Sequence, residues 1–111
     1  MTCGITLNNK DYWFQNLWFS GFIPELTMAA IEIFGDNTKK TIAVKMELEG
    51  HWPGKVYDLD TECIDGISKY EMRMIVLRAL KYQQSCKSGP GAYDAIIEKL
   101  TLELKNGGSR S

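Results

Sequence analysis

Thr41-Ile42-Ala43-Val44-Lys45-Met46-Glu47-Leu48-Glu49 is the stretch whose reading decides the fold. Ile42, Val44, Met46 and Leu48 alternate with Thr41, Ala43, Lys45, Glu47 and Glu49, the period of a strand covered on one face. The stretch is predicted to be a strand at the centre of a sheet. Ahead of it, Ala30 to Phe34 and the turn-rich Gly35-Asp36-Asn37-Thr38-Lys39 suggest a hairpin partner. That first arm has a rival, helical reading: Pro24 at the start, Glu25 in the first turn, Leu26, Ala29, Ala30 and Ile33 on one face, and Gly35 as terminator. The strand is preferred. After the central strand, His51-Trp52-Pro53-Gly54 reads as a turn, and Lys55 to Leu59, with Val56 and Tyr57, as a third strand.

Further out, the period changes. Gly66 to Gln84 is predicted to be a helix with Met72, Ile75, Val76 and Ala79 on one stripe and Tyr70, Met74 and Leu77 on another, implying apolar neighbours on two sides. Ser88-Gly89-Pro90-Gly91 breaks the chain, and Tyr93, Ile96, Ile97, Leu100 and Leu104 then recur at helical spacing. Leu100, Leu102 and Leu104 also alternate, so Lys99 to Lys105 has an edge-strand reading as well. Near the N-terminus, Tyr12, Trp13, Phe14, Trp18, Phe19 and Phe22 are half of the chain's 12 aromatics. Asp11 would cap a short helix there, with Phe14, Leu17 and Trp18 on its buried face and Ser20-Gly21 as its stop. Tyr12-Trp13-Phe14 cannot all face one way, so Tyr12, Trp13 and Trp18 are candidates for an oligomer interface, a homodimer seam among the possibilities.

Together these elements predict an α+β fold in which a small antiparallel sheet of about three strands packs against two helices. A single domain over residues 1–106 is expected, with 107–111, Gly-Gly-Ser-Arg-Ser, as a flexible tail or cloning scar.

The chain has 13 Lys plus Arg against 14 Asp plus Glu, a formal net charge of −1, which argues against direct nucleic-acid binding. No apolar run is longer than that of Met74-Ile75-Val76-Leu77, far short of the ~20 residues that cross a bilayer. No membrane association is expected, and the location is read as cytoplasmic. Cys3, Cys63 and Cys86 are odd in number, widely spaced and accompanied by a single histidine, His51. Neither a disulfide framework, a metal site nor a cofactor follows from them. Any Cys–His nucleophile pair must use His51. Cys63 is a poor candidate because Asp60 and Glu62 beside it would raise its pKa, while Cys3 and Cys86 read as incidental.

The near-zero net charge conceals two blocks. Residues 46–65 carry Glu47, Glu49, Asp58, Asp60, Glu62 and Asp65 against Lys55, a balance of −5, and residues 66–90 carry Lys69, Arg73, Arg78, Lys81 and Lys87 against Glu71, a balance of +4. Either the basic helix neutralises the acidic segment, or that segment stays exposed and meets a basic partner. Asp58, Asp60 and Glu62 also alternate as hard oxygen ligands would, but an EF-hand loop started at Asp58 has Cys63 where glycine and Lys69 where glutamate is needed. His51 and Trp52 in their turn would add a titratable group and an aromatic anchor.

These features favour a small protein-binding or inhibitory protein of the immunity-protein, antitoxin or phage-inhibitor class. Its partner would be a protein with a basic surface, such as a nuclease-type toxin or a nucleic-acid enzyme. The contact residues are expected among Glu47, Glu49, His51, Trp52, Tyr57, Asp58, Asp60 and Glu62, with no catalytic residue assigned. Reversing Asp58, Asp60 and Glu62 to Lys is expected to abolish binding and spare the fold. Two alternatives stand: a small enzyme using those carboxylates with His51, or a structural, chaperone-like dimer.

Overall fold

The first element is a hairpin that the sequence reading did not find, closed by a two-residue turn. The computed structural model describes residues 2–86 and 93–108, and in it β1 (Thr2–Leu7) and β2 (Lys10–Gln15) are antiparallel with Leu7 opposite Lys10. Asn8 and Asn9, at φ 52° and 62°, supply the two left-handed residues of a type I′ turn, whose twist matches that of the strands. β1 also pairs, in parallel, with β3 (Val56–Asp58), giving a three-stranded sheet in the order β2-β1-β3. The α+β class and the small sheet stand, but the sheet is mixed rather than antiparallel. The N-terminal strand lies at its centre.

Four helices complete the fold: α1 (Asn16–Phe34), α2 (Lys39–Glu49), α3 (Lys69–Cys86) and α4 (Asp94–Gly108). The predicted central strand at 41–49 is α2. Thr38 caps it, its hydroxyl accepting from the Thr41 N–H at 3.2 Å, and Gly50 follows its last turn. Its buried residues are Thr41, Val44 and Leu48, a helical stripe, whereas Ile42 and Met46 face outward at 45% and 68% exposure. Thr41 donates its hydroxyl to the Gly35 carbonyl at 2.7 Å, which ties α2 to the end of α1.

The predicted arm at 30–34 is the last part of α1, so the rival helical reading is the correct one there. Gly35 ends the helix at φ 94°, a conformation that favours glycine. Pro24 lies inside α1 rather than at its start. The short helix expected from Asp11 is displaced: 10–15 is strand, Ser20 and Gly21 lie within α1, and Leu17 is 84% exposed. Alternation of buried Tyr12 and Phe14 with exposed Asp11, Trp13 and Gln15 is what this segment carries.

The third strand and the two later helices are as predicted. α3 opens with a reciprocal cap, Ser68 N–H to Glu71 Oε1 at 3.0 Å and Glu71 N–H to Ser68 Oγ at 3.1 Å. It buries Met72, Ile75, Val76 and Ala79, while Tyr70 and Met74 of its second stripe are exposed. α4 buries Ile97, Leu100 and Leu104, exposes Leu102, and runs through Gly108. The expected break at Ser88–Gly91 and the last three residues of the expected tail lie outside the described residues.

α1 sits against α2, α3 and both hairpin strands. By length and composition it is apolar enough to cross a membrane, and here Phe19, Phe22, Leu26, Ala29 and Ala30 are buried inside the protein. Phe14, Trp18, Phe22 and Tyr93 form an aromatic stack, Phe14 to Trp18 at 4.5 Å and Trp18 to Phe22 at 5.0 Å. The radius of gyration is 13.1 Å, matching the roughly 13 Å of a compact domain of about this length.

Candidate functional site

The sheet has one covered and one open face, and strand register fixes which residues belong to each. Cys3, Ile5, Leu7, Tyr12, Phe14 and Tyr57 point into the core. The opposite face carries two cross-strand rows, Trp13–Gly4–Val56 and Asp11–Thr6–Asp58. Trp13 lies flat over Gly4 because no side chain stands there; a Cβ on Gly4 would come within 2.8 Å of the Trp13 ring. Trp13 is 46% and Val56 42% exposed. Asp11 accepts from the Thr6 hydroxyl at 2.8 Å, which keeps its carboxylate on this face. Trp52, 56% exposed, rests against Gly54 in the turn leading to β3.

The acidic segment is divided rather than presented whole. Asp60 is a latch: its carboxylate accepts from the Asn8 and Asn9 N–H groups at 2.6 and 2.9 Å and from Arg73 Nη2 at 3.2 Å. Burial pulls this carboxyl upward, but the two turn N–H groups, Arg73 and Lys69 together hold it below its ordinary value. Arg73 also donates Nε to the Leu59 carbonyl at 2.8 Å, so α3 fastens the hairpin turn through Asp60. Asp58 accepts from the Asp60 N–H at 2.9 Å. Glu47 pairs with Lys55 at 2.8 Å. Glu49, Glu62 and Asp65 are exposed.

Thus Arg73 of the basic helix neutralises one member of the acidic block, Glu49, Glu62 and Asp65 stay exposed, and half-buried Asp58 keeps one carboxylate oxygen free of the Asp60 N–H. Among the described residues no group of three His, Cys, Asp or Glu is placed to hold a metal ion. Of the three residues expected at an oligomer interface, Tyr12 is buried, Trp18 is half-buried in the aromatic stack, and Trp13 is exposed.

His51 and Tyr57 belong to a different cluster, which the sequence reading missed by treating Cys3 as incidental. Cys3 Sγ lies 3.6 Å from His51 Nε2 and 3.3 Å from Asn16 Oδ1, and the Tyr57 hydroxyl is 2.9 Å from His51 Nδ1. One arrangement uses every proton: Tyr57 O–H donates to Nδ1, Nε2–H donates to the sulfur, and the thiol donates to Asn16. Phe19 stacks on His51 and on Tyr57, at 5.3 and 5.5 Å between ring centres.

Burial, and then the nearby Lys55, hold His51 below the ordinary imidazole value, and burial followed by Glu47 pushes the Tyr57 phenol well up. The chain of hydrogen bonds joins β1, the start of α1, the end of α2 and β3. With Cys3 fully buried and its thiol donating to Asn16 while Nε2–H donates to the sulfur, His51 is not placed as a base for the thiol, and the pair has no access to a substrate. Cys63 is held up first by burial and then by Glu47 and Asp58, not by the sequence neighbours invoked for it.

Two grooves flank α4. One, of about 750 Å³, runs between β2 and α4 and is walled by Tyr12, Trp13, Ile96 and Leu102, with Lys10, Lys99 and Glu103 around it. Lys10 and Glu103 are paired at 3.3 Å. A smaller one, of about 330 Å³, lies between Met74 and Leu77 of α3 and Leu104 of α4. No protein-family model, no curated protein and no solved structure matches this chain.

Proposed function

We propose that this is a protein-binding protein of the inhibitory or neutralising class, and that its contact surface is the open face of the sheet. One observation carries the reading: Trp13 and Val56, nearly half-exposed on a flat strand surface, stand in the register row beside the carboxylates Asp11 and Asp58. An aromatic anchor with an acidic rim suits a partner whose surface is basic. Trp52, Glu49 and Glu62 extend the same chemistry along the acidic segment. A reducing compartment such as the cytosol suits the unpaired thiols of Cys3 and Cys63.

The test is affinity capture with the full chain at low and high salt, comparing the wild type with Asp11→Lys/Asp58→Lys and with Trp13→Ala. A single stoichiometric partner is expected, released as salt rises and lost in both variants while their melting temperatures stay near that of the wild type. Capture unaffected by these substitutions, or no partner at either salt, overturns the reading.

A further inference from the structure

β2 is an edge strand, and hairpin geometry determines which of its main-chain groups are free. The two-residue turn makes Leu7 and Lys10 a hydrogen-bonded pair, so Lys10, Tyr12 and Phe14 point their N–H and C=O groups at β1. Asp11, Trp13 and Gln15 point theirs away from the sheet. The Gln15 N–H is taken by the Tyr93 hydroxyl at 2.9 Å. Among the described residues the outward groups of Asp11 and Trp13 have no partner. Their open side borders the 750 Å³ groove, whose far wall is Ile96 and Leu102 of α4.

We infer that this edge receives an extended segment of the protein partner as a fourth strand, and that the segment alternates apolar and basic residues. The inference rests on the binding function proposed above and specifies how the partner docks. Main-chain pairing to Asp11 and Trp13 supplies affinity, and the alternation of the added strand supplies specificity. A residue opposite Tyr12 points to the covered side of the sheet, into the groove against Ile96 and Leu102, and is therefore apolar. Glu103 beside that groove is already paired with Lys10, so with Lys99 at the wall a cation finds no open carboxylate there. Residues opposite Asp11 and Trp13 point to the open face, where the Asp11 carboxylate and the Trp13 ring favour Lys or Arg. With the Gln15 N–H already taken, Lys10 to Phe14 leave an edge of about 17 Å, enough for a segment of four or five residues.

The test uses the full-length protein and a displayed library of random seven-residue peptides, followed by amide hydrogen exchange with the selected peptides. Period-two sequences of apolar and basic residues are expected. At ten times its Kd such a peptide should slow exchange at the Asp11 and Trp13 amides about tenfold. Asp11→Pro, which deletes an outward donor and leaves the β1 pairing untouched, should abolish binding, and Asp11→Asn should weaken it only for the basic peptides.

Selection of no peptide, or of peptides without alternation, overturns the inference. So does binding that leaves both amides unprotected, including the case in which the partner is lost on open-face substitution yet never protects the edge; the binding function then survives and strand addition does not. Protection that grows with the protein's own concentration, without peptide, would assign the edge to a second copy and also overturn it.

Discussion

Residues 41–49 alternate apolar and polar side chains and residues 10–15, with three adjacent aromatics, do not, yet the first stretch is a helix and the second a strand. In β2 it is burial that alternates, not residue type: Tyr12 and Phe14 are buried, Asp11, Trp13 and Gln15 exposed. In α2 the alternation of residue type is a coincidence of composition. Val44 and Leu48 are four apart, so they satisfy the strand template and the helix template alike. Ile42 and Met46 belong to the strand template alone, and Thr41 to the helix. The structure buries Thr41 and exposes the other two. What separates the two regions lies at their ends, an Asn-Asn turn with positive φ ahead of β2 and a Thr38 cap with Gly50 around α2.

The strongest way to break the comparison is Phe14→Ala, which empties a fully buried site on β2 and should cost about 3–5 kcal/mol in urea unfolding. Trp13→Ala, one residue away on the open face, should cost less than about 1 kcal/mol. Equal losses would mean that the alternation of β2 does not separate core from surface. Asp60→Ala should cost about 2 kcal/mol, because it strands the two turn N–H groups and Arg73, while Glu62→Lys should be near neutral. The triple reversal that includes Asp60 is consequently a poor binding test: it would loosen the hairpin turn before it altered any partner.

Thr41→Val sharpens the α2 side. Removing a buried hydroxyl that satisfies the end of α1 should cost about 1–2 kcal/mol, where an outward strand position would give no loss. Acid links the two regions through His51, which follows α2 and touches both β1 and β3. Its pKa is lowered on folding from 6.5, so the unfolded chain binds the proton first. The stability is complete above about that value and declines as pH falls through the lower folded one. His51→Gln should abolish this upper phase of the melting-temperature profile. The carboxylates with lowered values, Asp60 and Glu71, produce a second decline below their ordinary range near pH 4, which the variant should keep. The smallest effect is the most diagnostic: Ile42→Lys and Met46→Lys should each change stability by less than about 0.5 kcal/mol. A large loss in either would restore a buried, strand-like face to 41–49.

α3 and α4 were legible because their periods of three and four run across 15 and more residues, and the edge-strand reading of Lys99 to Lys105 fails because Leu102 is exposed while Leu100 and Leu104 are buried on one helical face. β3 was legible from its turn and its paired Val56 and Tyr57. The candidate site was half legible. Trp13, Trp52 and Asp58 could be named from residue type, and Trp13 emerged because three adjacent aromatics cannot share a face. Asp11, Val56 and the groove residues Ile96 and Leu102 could not be named, since each acquires a role only when β2 lies beside α4 and across β1 from β3. Asp60 looked like its neighbours in sequence and is spent on a turn 51 residues away.

The sequence by itself determined the α+β class, the two later helices and the near-neutral charge with its two opposed blocks, all of them consequences of local spacing and composition. Only the tertiary structure decided that 41–49 is a helix, that the first strand sits at the centre of a mixed sheet, that Cys3 meets His51, and which carboxylates remain open. Those outcomes depend on contacts between residues far apart in the chain. Where two local patterns share Val44 and Leu48, the burial of Thr41 against the end of α1 selects between them.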